Sequence, residues 1–144
     1  VNSFLIFICM KFNVIMSYFE IGFTVPLINL TYIFSVIFTP FGKLFGFVGL
    51  EAAVAGELIG IKVAVNEMIA YAQMVTMNLS DRAAIILTYA LCGFSNFSCI
   101  GIQIGGIGSL APSQRPILSK LGFRAVFGAT LANLLSAMLV GLVL

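Results

Sequence analysis

Two long stretches of this chain, residues 83–114 and 125–144, contain no charged side chain. As a helix rising 1.5 Å per residue, the second would reach about 30 Å, one hydrocarbon thickness of a bilayer. Composition agrees: 61% of the 144 residues are hydrophobic and 8% are charged, against about 25% charged in ordinary soluble domains. The expected fold is an all-α, multi-pass integral membrane protein embedded in the lipid bilayer. A net charge of +2 from scattered residues makes no basic face, so no nucleic-acid partner is expected. The chain has no His, which removes His-based metal sites and Ser–His or Cys–His pairs. A Ser–Lys dyad on Lys62 lacks a nearby serine, and no enzyme activity is expected. Cys9, Cys92 and Cys99 sit in apolar runs and read as small buried residues, not a disulfide or metal set.

Charge placement orients the chain. The segment PSQRPILSKLGFR holds Arg115, Lys120 and Arg124, no acid, and two prolines. It reads as a loop over residues 111–124, and positive loops stay cytoplasmic. Residues 125–144 then form a helix running outward, which leaves the C-terminus outside or periplasmic, in a cytoplasmic (inner) membrane. Residues 83–110 run inward from an outer turn at 78–82, where Ser80 or Asp81 caps the next helix. That helix starts as AAIILTYAL and then meets GFSNFSCIGIQIGGIG. Two readings stay open there. Gly101 and Gly105 form a small-xxx-small packing pair, or the helix is discontinuous and offers polar groups to a ligand.

Residues 52–77 are apolar enough for a bilayer, yet hold Glu57, Lys62, Asn66 and Glu67. Ionisable groups at membrane depth are costly and mark sites. A straight span would bury Glu67 in hydrocarbon. A re-entrant hairpin avoids this, with half-helices near 52–64 and 68–77 meeting at 65–67. Each half is too short to cross alone. A direct Lys62–Glu67 pair requires the helix to break between them. Upstream, residues 1–25 are apolar with Lys11 and Glu20 and read as an intact or degraded span. Residues 27–48 are rich in aromatics and fit an interfacial helix ending near Pro40, or a kinked span.

Three motifs occur in order: NE-x-x-AY at 66–71, ALCGF-x-NFS at 90–98, and GIQIGGIG-x-LAP at 101–112. Over roughly residues 30–144 the chain resembles the concentrative nucleoside transporters, most closely their bacterial nucleoside-permease branch. The resemblance implies one half of an inverted-repeat transporter. Residues 27–48 would be the interfacial helix, 52–77 the re-entrant helical hairpin, 82–110 the broken transmembrane helix and 117–143 the final transmembrane helix. Residues 26–144 would form this C-terminal region, with 1–25 a poorly matching apolar segment before it.

The resemblance also implies roles. Glu67 matches the hairpin-tip carboxylate that holds ribose hydroxyls, and Asn66 shapes the tip. Asn96 matches the broken-helix amide that contacts the ribose as donor and acceptor, and Phe94 matches the aromatic lining the pocket. Cys99 stands where many relatives carry a Ser that touches the sugar, a departure because a thiol hydrogen-bonds poorly. Ser98 is a neighbouring substitute. The implied activity is cation-coupled symport of a nucleoside by alternating access, with H⁺ or Na⁺ as coupling cation. The implied partners are a homotrimer or a missing N-terminal half. Family members are much longer, so the chain reads as a C-terminal fragment. A small membrane structural protein or an inactive remnant is the alternative.

Overall fold

A computed structural model describes residues 2–18 and 30–144. Residues 19–29, on which part of the predicted N-terminal segment and the start of the predicted interfacial helix fall, lie outside the described residues. The elements are helical throughout this range: α1 Asn2–Tyr18, α2 Leu30–Leu44, α3 Gly49–Ala64, α4 Glu67–Met74, α5 Asp81–Leu91, α6 Phe97–Leu110 and α7 Arg115–Val143, with one 3-10 turn, Pro112–Gln114. Among them, only the stretch Pro112–Val143 is long and apolar enough to cross a bilayer unaided.

α2 does not stop at Pro40, as expected from the sequence, but continues to Leu44. Proline removes one backbone donor, and membrane helices tolerate this where side chains satisfy the freed groups. The carbonyl that loses its donor is that of Val36, while one residue earlier the Thr39 hydroxyl adds a bond to the Ser35 carbonyl at 2.5 Å. α2 then bends by 120° into α3. The two helices lie almost backbone to backbone. A Cβ on Gly56 would come within 2.5 Å of the Thr39 nitrogen, and one on Gly60 would strike Phe34. Between helices in lipid, close approach of this kind supplies the attraction that water supplies elsewhere.

The hairpin forms as expected, with shifted ends. α3 has 16 residues and α4 has 8, so neither arm spans a bilayer. The Gln73 amide donates to Glu57 Oε1 at 2.6 Å and ties arm to arm. At the open end, the Ser80 N–H donates to Glu51 Oε1 at 3.2 Å. Ser80 is also the N-cap of α5, its Oγ accepting from the Ala83 N–H at 3.3 Å.

The predicted loop at 111–124 is a correction. Its irregular part ends at Gln114, and α7 begins at Arg115. The prolines misled the reading, because a proline in the first helical turn forfeits no hydrogen bond and pre-sets φ. Lys120 and Arg124 therefore ride on α7, whose 29 residues extend about 43 Å, longer than the hydrocarbon layer.

The core is the seam where α3, α5 and α7 meet, built from Leu58, Ile59, Ile86, Leu87, Leu91 and Leu134, all nearly inaccessible. At one end of this seam the Arg82 guanidinium donates to two carbonyls, Gly141 on α7 at 3.0 Å and Phe45 just past α2 at 3.4 Å. Both belong to helix C-terminal ends, whose last carbonyls have no partner within the helix and favour a cation.

Candidate substrate site at two helix breaks

The helix that starts at Asp81 breaks over residues 92–96 and restarts at Phe97. The glycine-rich run beyond it does not unwind. Gly101, Gly105 and Gly106 lie within regular α6, and a Cβ on any of them would meet nothing within 4 Å. Packing through Gly101 and Gly105 therefore does not occur within the described residues, and the discontinuous helix is what forms. The hairpin breaks at Val65 and Asn66, which places Glu67 at the first position of α4 rather than in the connecting turn.

The two restarts use the same device. Asn66 and Asn96 both have extended backbones, and each caps the half-helix that follows. Asn66 Oδ1 accepts from the Ile69 N–H at 2.9 Å, and Asn96 Oδ1 from the Cys99 N–H at 3.0 Å. Capping satisfies a donor that the helix cannot, and it also fixes which way the amide faces. With Oδ1 turned to the helix, Asn96 Nδ2 points outward and donates to Glu67 Oε2 at 3.1 Å. That bond joins the hairpin tip to the broken helix. Asn96 Oδ1 thus serves the cap, and its Nδ2 is the group turned to the hairpin. Glu67 Oε1 accepts nothing from the described residues.

Cys99 is 1% exposed. Its thiol donates to Asn96 Oδ1 at 3.2 Å and approaches the Phe94 carbonyl at 3.3 Å. Cys99 thus supports the Asn96 amide, and it also lines the cleft that Phe94 borders. Ser98 beside it is exposed. Phe94 is 56% exposed and borders a cleft of about 120 Å³ between α6 and α7, with Ile100, Gln103 and Gly122 on its walls.

The hairpin is held against the broken helix from its side. Lys62, 1% exposed, donates through Nζ to the Ala90 carbonyl at 3.1 Å. The breaking of the helix thus leaves Lys62 serving the end of α5 and Glu67 serving Asn96. The Tyr71 hydroxyl donates to the Thr88 carbonyl at 2.7 Å. Among the described residues, no three His, Cys, Asp or Glu side chains gather into a metal-sized cluster.

Two residues that frame the site escaped the sequence reading. Ser95 in the break is 1% exposed, and Asn133 on α7 donates through Nδ2 to its Oγ at 2.9 Å. The available signal was an isolated one: Asn133 is the only amide side chain in residues 125–144.

Short half-helices whose ends meet inside the protein, around polar groups, are the hallmark of membrane secondary transporters. Comparison with known proteins makes the class specific. Residues 3–141 match the family described as "Na+ dependent nucleoside transporter C-terminus", so the match takes in α1 as well as the motif-bearing region. An uncharacterized transporter of Haemophilus influenzae is 45% identical over 123 residues, covering 80% of this chain and 30% of the relative. Nucleoside permease NupC of Helicobacter pylori is 37% identical over 122 residues, covering 80% and 29% respectively. The solved structure of CNTnw in an inward-facing substrate-bound state superposes with a TM-score of 0.77 at 33% identity, covering 97% of this chain and 34% of that one. The chain belongs to the concentrative nucleoside transporter family, a family of transporters and not of enzymes, and the part it matches is the C-terminal one. It spans about 30% of the length of these relatives.

Proposed function

We propose that this chain supplies the sugar-holding part of a membrane transporter that moves nucleosides together with a cation. The observation that carries the reading is the 3.1 Å bond from Asn96 Nδ2 to Glu67 Oε2, which brings the two breaks together. One carboxylate oxygen and one amide hydrogen remain for a ligand. A ribose diol suits that pair: one hydroxyl donates to Glu67 Oε1 while another accepts from Asn96. Hydrogen bonds to a carboxylate are the strong kind. Phe94, exposed beside them, offers an apolar face to the rest of the nucleoside. Asn66 holds the tip in shape and Cys99 holds Asn96.

The transported ion is Na⁺ or H⁺, and the family's description favours Na⁺. Residues 30–64 act as an interfacial helix leading into a re-entrant hairpin, and α7 is the final span. The membrane is the cytoplasmic one, with the basic start of α7 inside and Leu144 outside. The working protein pairs this region with an N-terminal half and assembles as a trimer. Movement of the two breaks together, between openings to either side, carries the substrate.

The test is uridine binding and uptake by the complete reading frame in proteoliposomes. Glu67→Gln keeps the shape and removes the charge, and we expect at least a tenfold loss of affinity, since a hydrogen bond to a charged group contributes about 1.5–3 kcal/mol. Unchanged binding and uptake in that variant would sink the assignment.

A further inference from the structure

We infer that Asn133 is a positioning residue: from α7 it clamps the unwound segment 92–96 and so presents Asn96 to Glu67. Three observations carry this. First, Asn133 Nδ2 donates to Ser95 Oγ at 2.9 Å, and Ser95 directly precedes Asn96 in the chain. Ser95 and Asn96 are 1% and 0% exposed, so neither hydroxyl nor amide has water to fall back on. Second, Gly93 has φ +139°, a conformation side-chain-bearing residues rarely adopt. A Cβ there would lie 2.5 Å from Asn133 Oδ1 and 2.6 Å from Nδ2. The missing side chain at Gly93 is what makes room for the Asn133 amide against the break. Third, the Ser95 N–H donates to the Gly93 carbonyl at 2.9 Å, so the two residues that Asn133 touches form one tight turn. Asn133 is itself half-buried on α7, where an amide withdrawn from water needs a partner, and its partner lies in the unwound segment.

Asn133 touches no ligand in this scheme. Its effect on uridine rests on the function proposed above, but the clamp itself can be tested without any ligand. Three cysteines report on it: Cys92 at the break is exposed, whereas Cys99 behind Asn96 and Cys9 on α1 are buried. The protein in proteoliposomes is treated with N-ethylmaleimide and labelling is read site by site by mass spectrometry. In Asn133→Ala, Cys99 labelling should accelerate at least tenfold while Cys9 stays protected. Ser95→Ala leaves α7 intact, covers the case in which the first variant fails to fold, and should expose Cys99 to the same degree. The double variant should add nothing further, as expected for two halves of one contact. Cys99 remaining protected in both single variants overturns the clamp, as does an equal rise at Cys9 and Cys99, or a double variant whose effect is the product of the singles. Uridine affinity is measured on the same samples. Wild-type protein that fails to bind uridine while the labelling follows the expected pattern refutes the functional reading and leaves the clamp standing.

Discussion

The hairpin tip and the broken helix solve one problem in two ways. Each must restart a helix inside the protein, and each does so with an Asn that accepts from a backbone N–H three residues on. Their surroundings then diverge. Asn96 is wholly buried, with Ser95 and Cys99 packed around it and Asn133 behind. Asn66 is half-buried, and Val65, Met68 and Ile69 beside it are exposed. The hairpin is held along its arms, by Gln73, Tyr71 and Lys62, and at its tip by the single bond from Asn96 to Glu67. One break is an enclosed floor and the other is an open tip carried on its arms.

The sharpest way to break this contrast is at Gly93. Gly93→Ala combines a disfavoured φ with a clash against Asn133, and strain of this kind costs on the order of 1–3 kcal/mol before the clash is added. We expect the largest loss of thermal stability in detergent from this variant. A change at Gly101, whose Cβ position is open, should cost far less. Equal losses at the two glycines would erase the distinction between the enclosed break and the regular helix after it. Next comes the pair of caps. Cap removal costs about 0.5–2 kcal/mol, and Asn96→Ala should fall at or above the upper end because it also strands buried groups. Asn66→Ala should fall at the lower end because its neighbourhood is open. Thermal melts of the two variants in one detergent rank them, and the reverse order would contradict the floor-and-tip picture. The most local effect is expected at Gln73, where Gln73→Leu removes one bond between the arms. It should raise hydrogen exchange in residues 67–74 while leaving residues 97–110 as they were. Exchange rising equally in both segments would show that the hairpin and broken helix loosen as one.

Much of this architecture is legible before folding. Glu67 and Lys62 stand out because ionisable groups are scarce in apolar runs, and the breaks follow from halves too short to cross. Ser80 as a cap is readable from its place before an apolar helix. The misreadings have physical causes. Pro112 and Pro116 signal an interruption, but a proline at a helix start costs nothing, so the basic cluster joined α7. The glycines at 101–106 signal weak helix, but all of them lie in regular α6. Of the glycines in 93–108 only Gly93 has a positive φ, and it lies in the break. The orientation of the Asn96 amide was hidden because it depends on where the next helix starts. The Asn133–Ser95 bond was hidden because the two residues lie 38 positions apart, and sequence pattern speaks mostly to near neighbours.

The Arg82 guanidinium holds carbonyls from the end of α2 and the end of α7 while sitting in the first turn of α5. Mechanically it is a rivet through three plates at one edge. One side chain thereby couples three elements at the Asp81 end of α5, while the polar groups Glu67 and Asn96 gather at its other end, beside the break that follows Leu91.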